Sequence, residues 1–185
     1  MVKKVQVLRI GHRIYRDIRV TSHCALTARA FGAEKITIIG ENDESIKNSI
    51  KKVSAVWGGK FEIGFSSNLK KEIEKLKKKN FSLVHLTMYG EKIQDKIKEI
   101  QKKNNICIIV GAEKVPPVIY QKSDYNISIG NQPHSEIAAL AITLNELFEG
   151  KKLNKNFSNA KIKVIPQKKG KKTEKKRMKT AKKAH

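Results

Sequence analysis

"ISIGNQPHSEIAALAITL", residues 127–144, joins two kinds of structure through one turn. An alternating apolar run stops at Gly130. Asn131, Gln132, Pro133 and His134 follow, all poor at burying themselves. A nearly charge-free stretch of helical period comes next. Ile137, Leu140, Ala141, Leu144, Leu147 and Phe148 form one stripe of it, and Ala138, Ala139 and Ile142 fill much of the opposite side. A helix apolar nearly all round is buried on two sides. One side covers its own sheet, and the other suits a second subunit. Pro133 fits the first turn of this helix and Asn131 can cap it from outside. The unit is therefore strand, polar turn, buried helix.

Working outward, the same alternation recurs. "VQVLRI" (5–10), "ITIIG" (36–40), "FEIGF" (61–65), "LVHLTMYG" (83–90) and "ICIIVG" (106–111) read as further strands. Helical stripes lie between them: Ile46, Ile50, Val53 and Trp57; Leu69, Ile73 and Leu76; Ile93, Ile97 and Ile100. This alternation predicts an α/β fold, a mostly parallel sheet with helices on both faces. "EGKKLNKNFSNA" (149–160) reads as a linker and "KIKVIPQ" (161–167) as one last strand. The chain thus divides into a domain over 1–150, an extension over 151–167 and a basic tail over 168–185, whose composition predicts disorder.

The 185 residues carry a formal charge of +23. Residues 168–185 hold ten Lys/Arg against one Glu, a net +9, which leaves +14 for the rest. An anionic partner follows. Nucleic acid fits better than a membrane surface, because no helix joins a basic face to bulky aromatics. No stretch approaches the roughly 18 apolar residues of a membrane span, and no signal peptide opens the chain. Cys24 and Cys107 stand far apart in apolar runs, as reduced core residues of a cytoplasmic protein would. No CxxC, HxxxH or His/Cys cluster suggests a metal.

Ligands of an open α/β sheet sit beyond the carboxyl ends of its strands. Three such ends carry unusual loops: "HLTMYG", "VGAEKVPP" and "IGNQPHSE". Neither GxGxxG after the first strand nor GxxxxGK[ST] is present, which argues against a dinucleotide dehydrogenase or a P-loop enzyme. Gly111 and Ala112 would expose backbone groups to a ligand, or form an ordinary turn closed by Pro116 and Pro117. The polar turn around His134 is richer than a cap requires. "GHRIYRDIRVTSHCALTARAFGA" (11–33) is dense in arginine, with Asp17 the one acid nearby. Arg13 and Arg16 suit RNA phosphates, although a salt-bridged solvated loop has the same composition.

Together these segments resemble the archaeal tRNA (cytidine(56)-2′-O)-methyltransferases of the SPOUT superfamily. The resemblance runs from "VLRIGHRIYRDIRVTSHCALTARAFGA" through "VWGGKF", "VHLTMYG" and "VGAEKVP" to "GNQPHSEIAALA" and "IPQKKGK". It implies a homodimer with a C-terminal deep trefoil knot that binds S-adenosylmethionine without a metal. It implies methyl transfer to a ribose 2′-hydroxyl in the tRNA T-loop. By resemblance, the cofactor is held by Leu86, by Gly111, Ala112, Glu113, Lys114 and Val115, and by Ile129, Gly130, Asn131, Gln132, Pro133, His134, Ser135 and Glu136. The related 2′-O-methylating enzymes place an Arg in "NxGxxxRTAxAFG". Aligned on "TARAFG", this chain has Leu26 there, so the role falls to Arg19, His23 or Arg29. Two other readings share these features: a non-catalytic RNA- or ribosome-binding protein, and a SPOUT methylase acting at another RNA site.

Overall fold

The computed structural model describes residues 2–112, 114–157 and 159–175. Its centre is a six-stranded, wholly parallel sheet. The strands are β1 (Lys4–Ile10), β2 (Lys35–Ile39), β3 (Glu62–Ser66), β4 (Ser82–Lys92), β5 (Asn105–Gly111) and β6 (Tyr125–Ser128), ordered β3-β2-β1-β5-β4-β6. The order runs outward in both directions from the β1/β5 pair. That pair is a switch point, where an open sheet leaves a crevice at its carboxyl edge.

Side chains of successive residues point to opposite faces of a strand. Val5, Val7, Ile106, Ile108 and Val110 accordingly pack under α1 (Ile18–Ala30), α2 (Glu44–Trp57), α4 (Ile93–Ile100) and α6 (Glu136–Leu147). Leu8, Ile10, Cys107 and Ile109 meet α3 (Leu69–Lys78) and α5 (Pro117–Lys122) on the other face. The expected two-sided covering is present. Both thiols are free and buried. Burial pushes Cys24 up to about 11 and Cys107 further still, so neither supplies a nucleophile.

Four expectations need correction. The helix thought to begin at Pro133 starts at Glu136, and its cap is Ser135, whose hydroxyl accepts from the Ile137 N–H at 3.1 Å. Asn131 does not cap it, because its amide donates to the Met88 carbonyl at 2.7 Å. The turn closed by Pro116 and Pro117 continues as α5, with Pro117 at its first position. The tail is not without structure from Lys168: β8 (Lys172–Lys175) pairs antiparallel with β7 (Ile162–Ile165). Cross-strand backbone hydrogen bonds form there despite the charge, since lysines on a two-stranded ribbon stay in water. Residues 176–185 lie outside the described residues.

β4 meets β6 in an unusual way. Leu86 pairs with Ile127 and, beyond an irregularity, Glu91 pairs with Ile127 again. Between them Gly90 comes close to β6. A methyl group there would lie 2.5 Å from the Asn126 carbonyl carbon and oxygen. Only glycine permits that approach.

Candidate active site

The ends of β4, β5 and β6 converge on one cleft of about 700 Å³. The three loops singled out in the sequence are thus brought together. Leu86, Gly111, Ala112, Lys114, Val115, Ile129, Gln132, Pro133, His134 and Glu136 line it. Gly130, Asn131 and Ser135 belong to the same turn without lining the cleft, and Glu113 lies outside the described residues.

Two residues at the site, one lining the cleft and one buried behind it, were not anticipated. His85 is fully buried on β4, and its Nδ1 lies 2.9 Å from the Asn126 side-chain oxygen. The Asn126 amide nitrogen donates to the Tyr120 carbonyl at 2.9 Å, so its oxygen is left to accept from His85 Nδ1–H. That fixes the tautomer and makes Nε2 an acceptor, which has no partner. Burial lowers the His85 pKa, with the Asn126 hydrogen bond opposing. Tyr120 packs edge-on against the imidazole and its hydroxyl lies 3.2 Å from Thr87 Oγ1. Nothing in the sequence marks His85, since a polar residue amid "LVHLTM" reads equally as an ordinary strand residue.

Arg9 is the other surprise. It lies within "VQVLRI", on the face turned toward α1 and α6, and is wholly buried. Its guanidinium donates to the Gly11 carbonyl and lies 3.3 Å from the Glu136 carboxylate at the start of α6. A carboxylate in the first helical turn also meets the positive end of the helix dipole. Among the described residues, Glu136 is the carboxylate on the cleft wall.

The arginine-rich loop is held in several places. Asp17 accepts from the Arg13 backbone N–H at 3.0 Å and from its Nε at 3.1 Å. Burial alone would raise the Asp17 carboxyl, but these Arg13 bonds win and hold it below the usual range. Glu41 accepts from the Ile14 N–H at 2.7 Å. Beneath the loop, buried His12 joins Thr21 Oγ1 at 2.9 Å and approaches the Asp43 carboxylate at 3.5 Å, tying α1 to the cap of α2.

Arg19 and His23 are exposed one turn apart on α1 and do not line the cleft in the single chain. Arg29 is not brought to it either. It is buried against Ser54 Oγ at 3.2 Å and the Gly58 carbonyl, over the Phe157 ring at 5.3 Å. It fastens the C-terminal extension, a task that explains an arginine in "TARAFG" without any chemistry. No group of three or more potential metal ligands occurs among the described residues. No helix among them is long and apolar enough to cross a membrane.

The sheet and its covering helices define a fold class. The fold is shared with the TrmH/SpoU tRNA modifying enzyme of A. aeolicus, at TM-score 0.60 and 17% identity over 83% of this chain and 80% of that one. It is shared too with the SpoU methyltransferase AviRb from Streptomyces viridochromogenes, solved in complex with AdoMet, at TM-score 0.61 and 14% identity. There the match covers 82% of this chain, which spans 59% of that structure. The architecture is therefore that of the SpoU/TrmH RNA methyltransferases.

The family is narrower. The sequence model described as "tRNA ribose 2′-O-methyltransferase, aTrm56" matches residues 57–174. The tRNA (cytidine(56)-2′-O)-methyltransferase of Thermococcus kodakarensis is 51% identical, covering 93% of this chain and 97% of its own length. That of Methanocaldococcus jannaschii is 54% identical, covering 90% and 94%. The chain belongs to this family of tRNA ribose 2′-O-methyltransferases.

Proposed function

We propose that this chain methylates the ribose 2′-hydroxyl of cytidine 56 in tRNA, taking the methyl group from S-adenosylmethionine and acting as a homodimer. The observation that carries the reading is the convergence of the β4, β5 and β6 loops on one cleft in a chain of this family.

The residues fit such a cofactor. The cleft volume lies in the range of small-molecule sites. Leu86, Val115 and Ile129 give it apolar wall, while Gly111 and Ala112 keep side-chain bulk out of it, the Ala112 N–H being bonded to the Ile10 carbonyl. The unpartnered Nε2 of His85 is an acceptor already desolvated and oriented for a donor. Bound there, the cofactor would supply an activated methyl group on a positive sulfonium.

The remaining work belongs to the chain. As the methyl–oxygen bond forms, the hydroxyl proton must leave. Glu136, steadied by Arg9, is placed to take that proton as the methyl group parts from sulfur. Arg13 and Arg16 supply the phosphate contacts around the target, and Arg19 and His23 orient the ribose hydroxyl. Two protomers meet through the face of α6 that carries Ala138 and Ile142, the latter 45% exposed in the single chain. The C-terminal trefoil knot belongs to the same proposal. The double pairing of Ile127 with Leu86 and Glu91 supports a crossing of residues 87–90 over β6.

Titration of S-adenosylmethionine into the Gly111→Val variant tests the cofactor site. A branched side chain at this strand end fills the cleft, so binding heat should vanish while circular dichroism stays native. Wild-type affinity in that variant would refute the site.

A further inference from the structure

The "VWGGKF" motif takes no part in the cleft, yet it is heavily used. The Gly59 N–H donates to Asn159 Oδ1 at 2.9 Å and the Lys161 N–H to the Val56 carbonyl at 2.8 Å. A methyl group at Gly58 would lie 2.7 Å from the Ala160 nitrogen, and one at Gly59 would lie 2.6 Å from the Phe157 ring. With Arg29 bound to Gly58 and stacked on Phe157, the C-terminal extension is seated firmly on the end of α2. The result is a groove of about 820 Å³ between the α/β domain and the β7–β8 ribbon.

Its chemistry is uneven. Five cations line it against one acid, Glu174. Lys161, Lys163 and Lys175 are exposed, and Lys155 is depressed by burial and then by neighbouring Lys152. Trp57, the only tryptophan in the chain, lies on the wall 39% exposed, and Val164 is exposed beside it. An apolar, planar ring left in water among unneutralised lysines is the composition of a single-strand stacking platform.

We infer that this groove is a second RNA site, separate from the cleft, in which an unpaired nucleotide stacks on Trp57 while the flanking phosphates meet Lys161, Lys163 and Lys175. The inference rests on the reading that tRNA is the substrate, and it names where part of that tRNA is held. Charge selects the occupant. An apolar protein segment would leave the lysines unpaired, whereas a ribose-phosphate strand satisfies both ring and charge.

Trp57 is its own reporter. Unmodified tRNA added without cofactor should quench its fluorescence. The Lys163→Gln/Lys175→Gln protein should need about tenfold more tRNA for the same quench, with a salt slope shallower by about 1.4. In steady state, Trp57→Ala should raise KM for tRNA with kcat held, and Trp57→Phe should restore it. Cofactor binding should be unchanged in all of these proteins. Absence of quenching, or an unaltered KM in Trp57→Ala, would overturn the inference. So would quenching that follows protein concentration in the absence of RNA, since the groove would then be an interface between copies. Quenching that persists while no methyl group reaches cytidine 56 would instead count against the proposed reaction and leave the groove standing.

Discussion

Arg9 and Glu136, 127 residues apart in sequence, form an ion pair at 3.3 Å, with Arg9 fully buried and the Glu136 side chain 21% exposed. The pair joins the central strand β1 to the first turn of α6, the helix that closes the cleft. Because its two partners are unequally buried, its loss is asymmetric.

Glu136→Gln leaves a desolvated guanidinium without its counter-ion, which costs about 3 kcal/mol. Arg9→Met removes the buried charge itself and leaves a carboxylate that still reaches water, so it should cost less. Urea denaturation of both variants tests the order. A larger loss for Arg9→Met would mean that packing, not charge, holds this contact. Both variants should also slow methyl transfer, because Glu136 loses its charge in one and its support in the other.

His85 gives a pH dependence with a definite sign. Burial lowers its pKa below the ordinary value of 6.5, so the unfolded chain takes up the proton first as pH falls. The stability this contributes is complete above about pH 6.5 and is lost below it, at up to about 1.4 kcal/mol per pH unit, until the folded-state pKa is passed. Carboxylates held low, such as Asp17 and Asp43, act only in more acid solution. Replacing His85 with Gln should therefore flatten the stability profile between pH 5 and 6.5 (roughly the histidine window). A profile as steep as that of the wild type would assign the slope elsewhere.

Ile142→Lys tests the proposed dimer. The side chain is 45% exposed in the single chain, so lysine there should not disturb the core. Sedimentation should show a folded monomer in place of a dimer. A dimer of unchanged affinity would place the contact on another face.

Arg19, His23 and Arg29 separate by kind. Arg19→Ala and His23→Ala, at exposed positions, should keep stability and lower the single-turnover methylation rate by tenfold or more, a roughly typical loss for a group acting at the reacting oxygen. Arg29→Met should lower stability by about 2 kcal/mol, since it vacates the buried donors to Ser54 and Gly58. Unchanged stability with a collapsed rate in Arg29→Met would return Arg29 to the catalytic set.

Much of this was legible in the sequence, for physical reasons. Strands covered on both faces become apolar runs, and "ICIIVG" could hardly be anything else. The three loops that line the cleft were visible because they follow such runs. Tertiary partners were not legible. Nothing within "VQVLRI" marked Arg9, because its partner Glu136 comes from α6. Arg29 looked catalytic because its place in "TARAFG" says nothing of Gly58 and Phe157. "KIKVIPQ" pointed to β7, but lysine density hid β8, because composition measures solvation and not the backbone pairing of Lys163 with Glu174. The start of α6 slipped from Pro133 to Glu136 because Ser135 and Asn131 are both competent caps, and Met88 engages Asn131.

The decisive measurement is to incubate unmodified tRNA transcript with the protein and methyl-labelled S-adenosylmethionine, then map the product by nuclease digestion and mass spectrometry. One methyl group should appear, on the ribose 2′-oxygen of cytidine 56, and it should be absent when that nucleotide is 2′-deoxycytidine. A methyl group on a base, on another nucleotide, or on the deoxy substrate would contradict the proposed reaction.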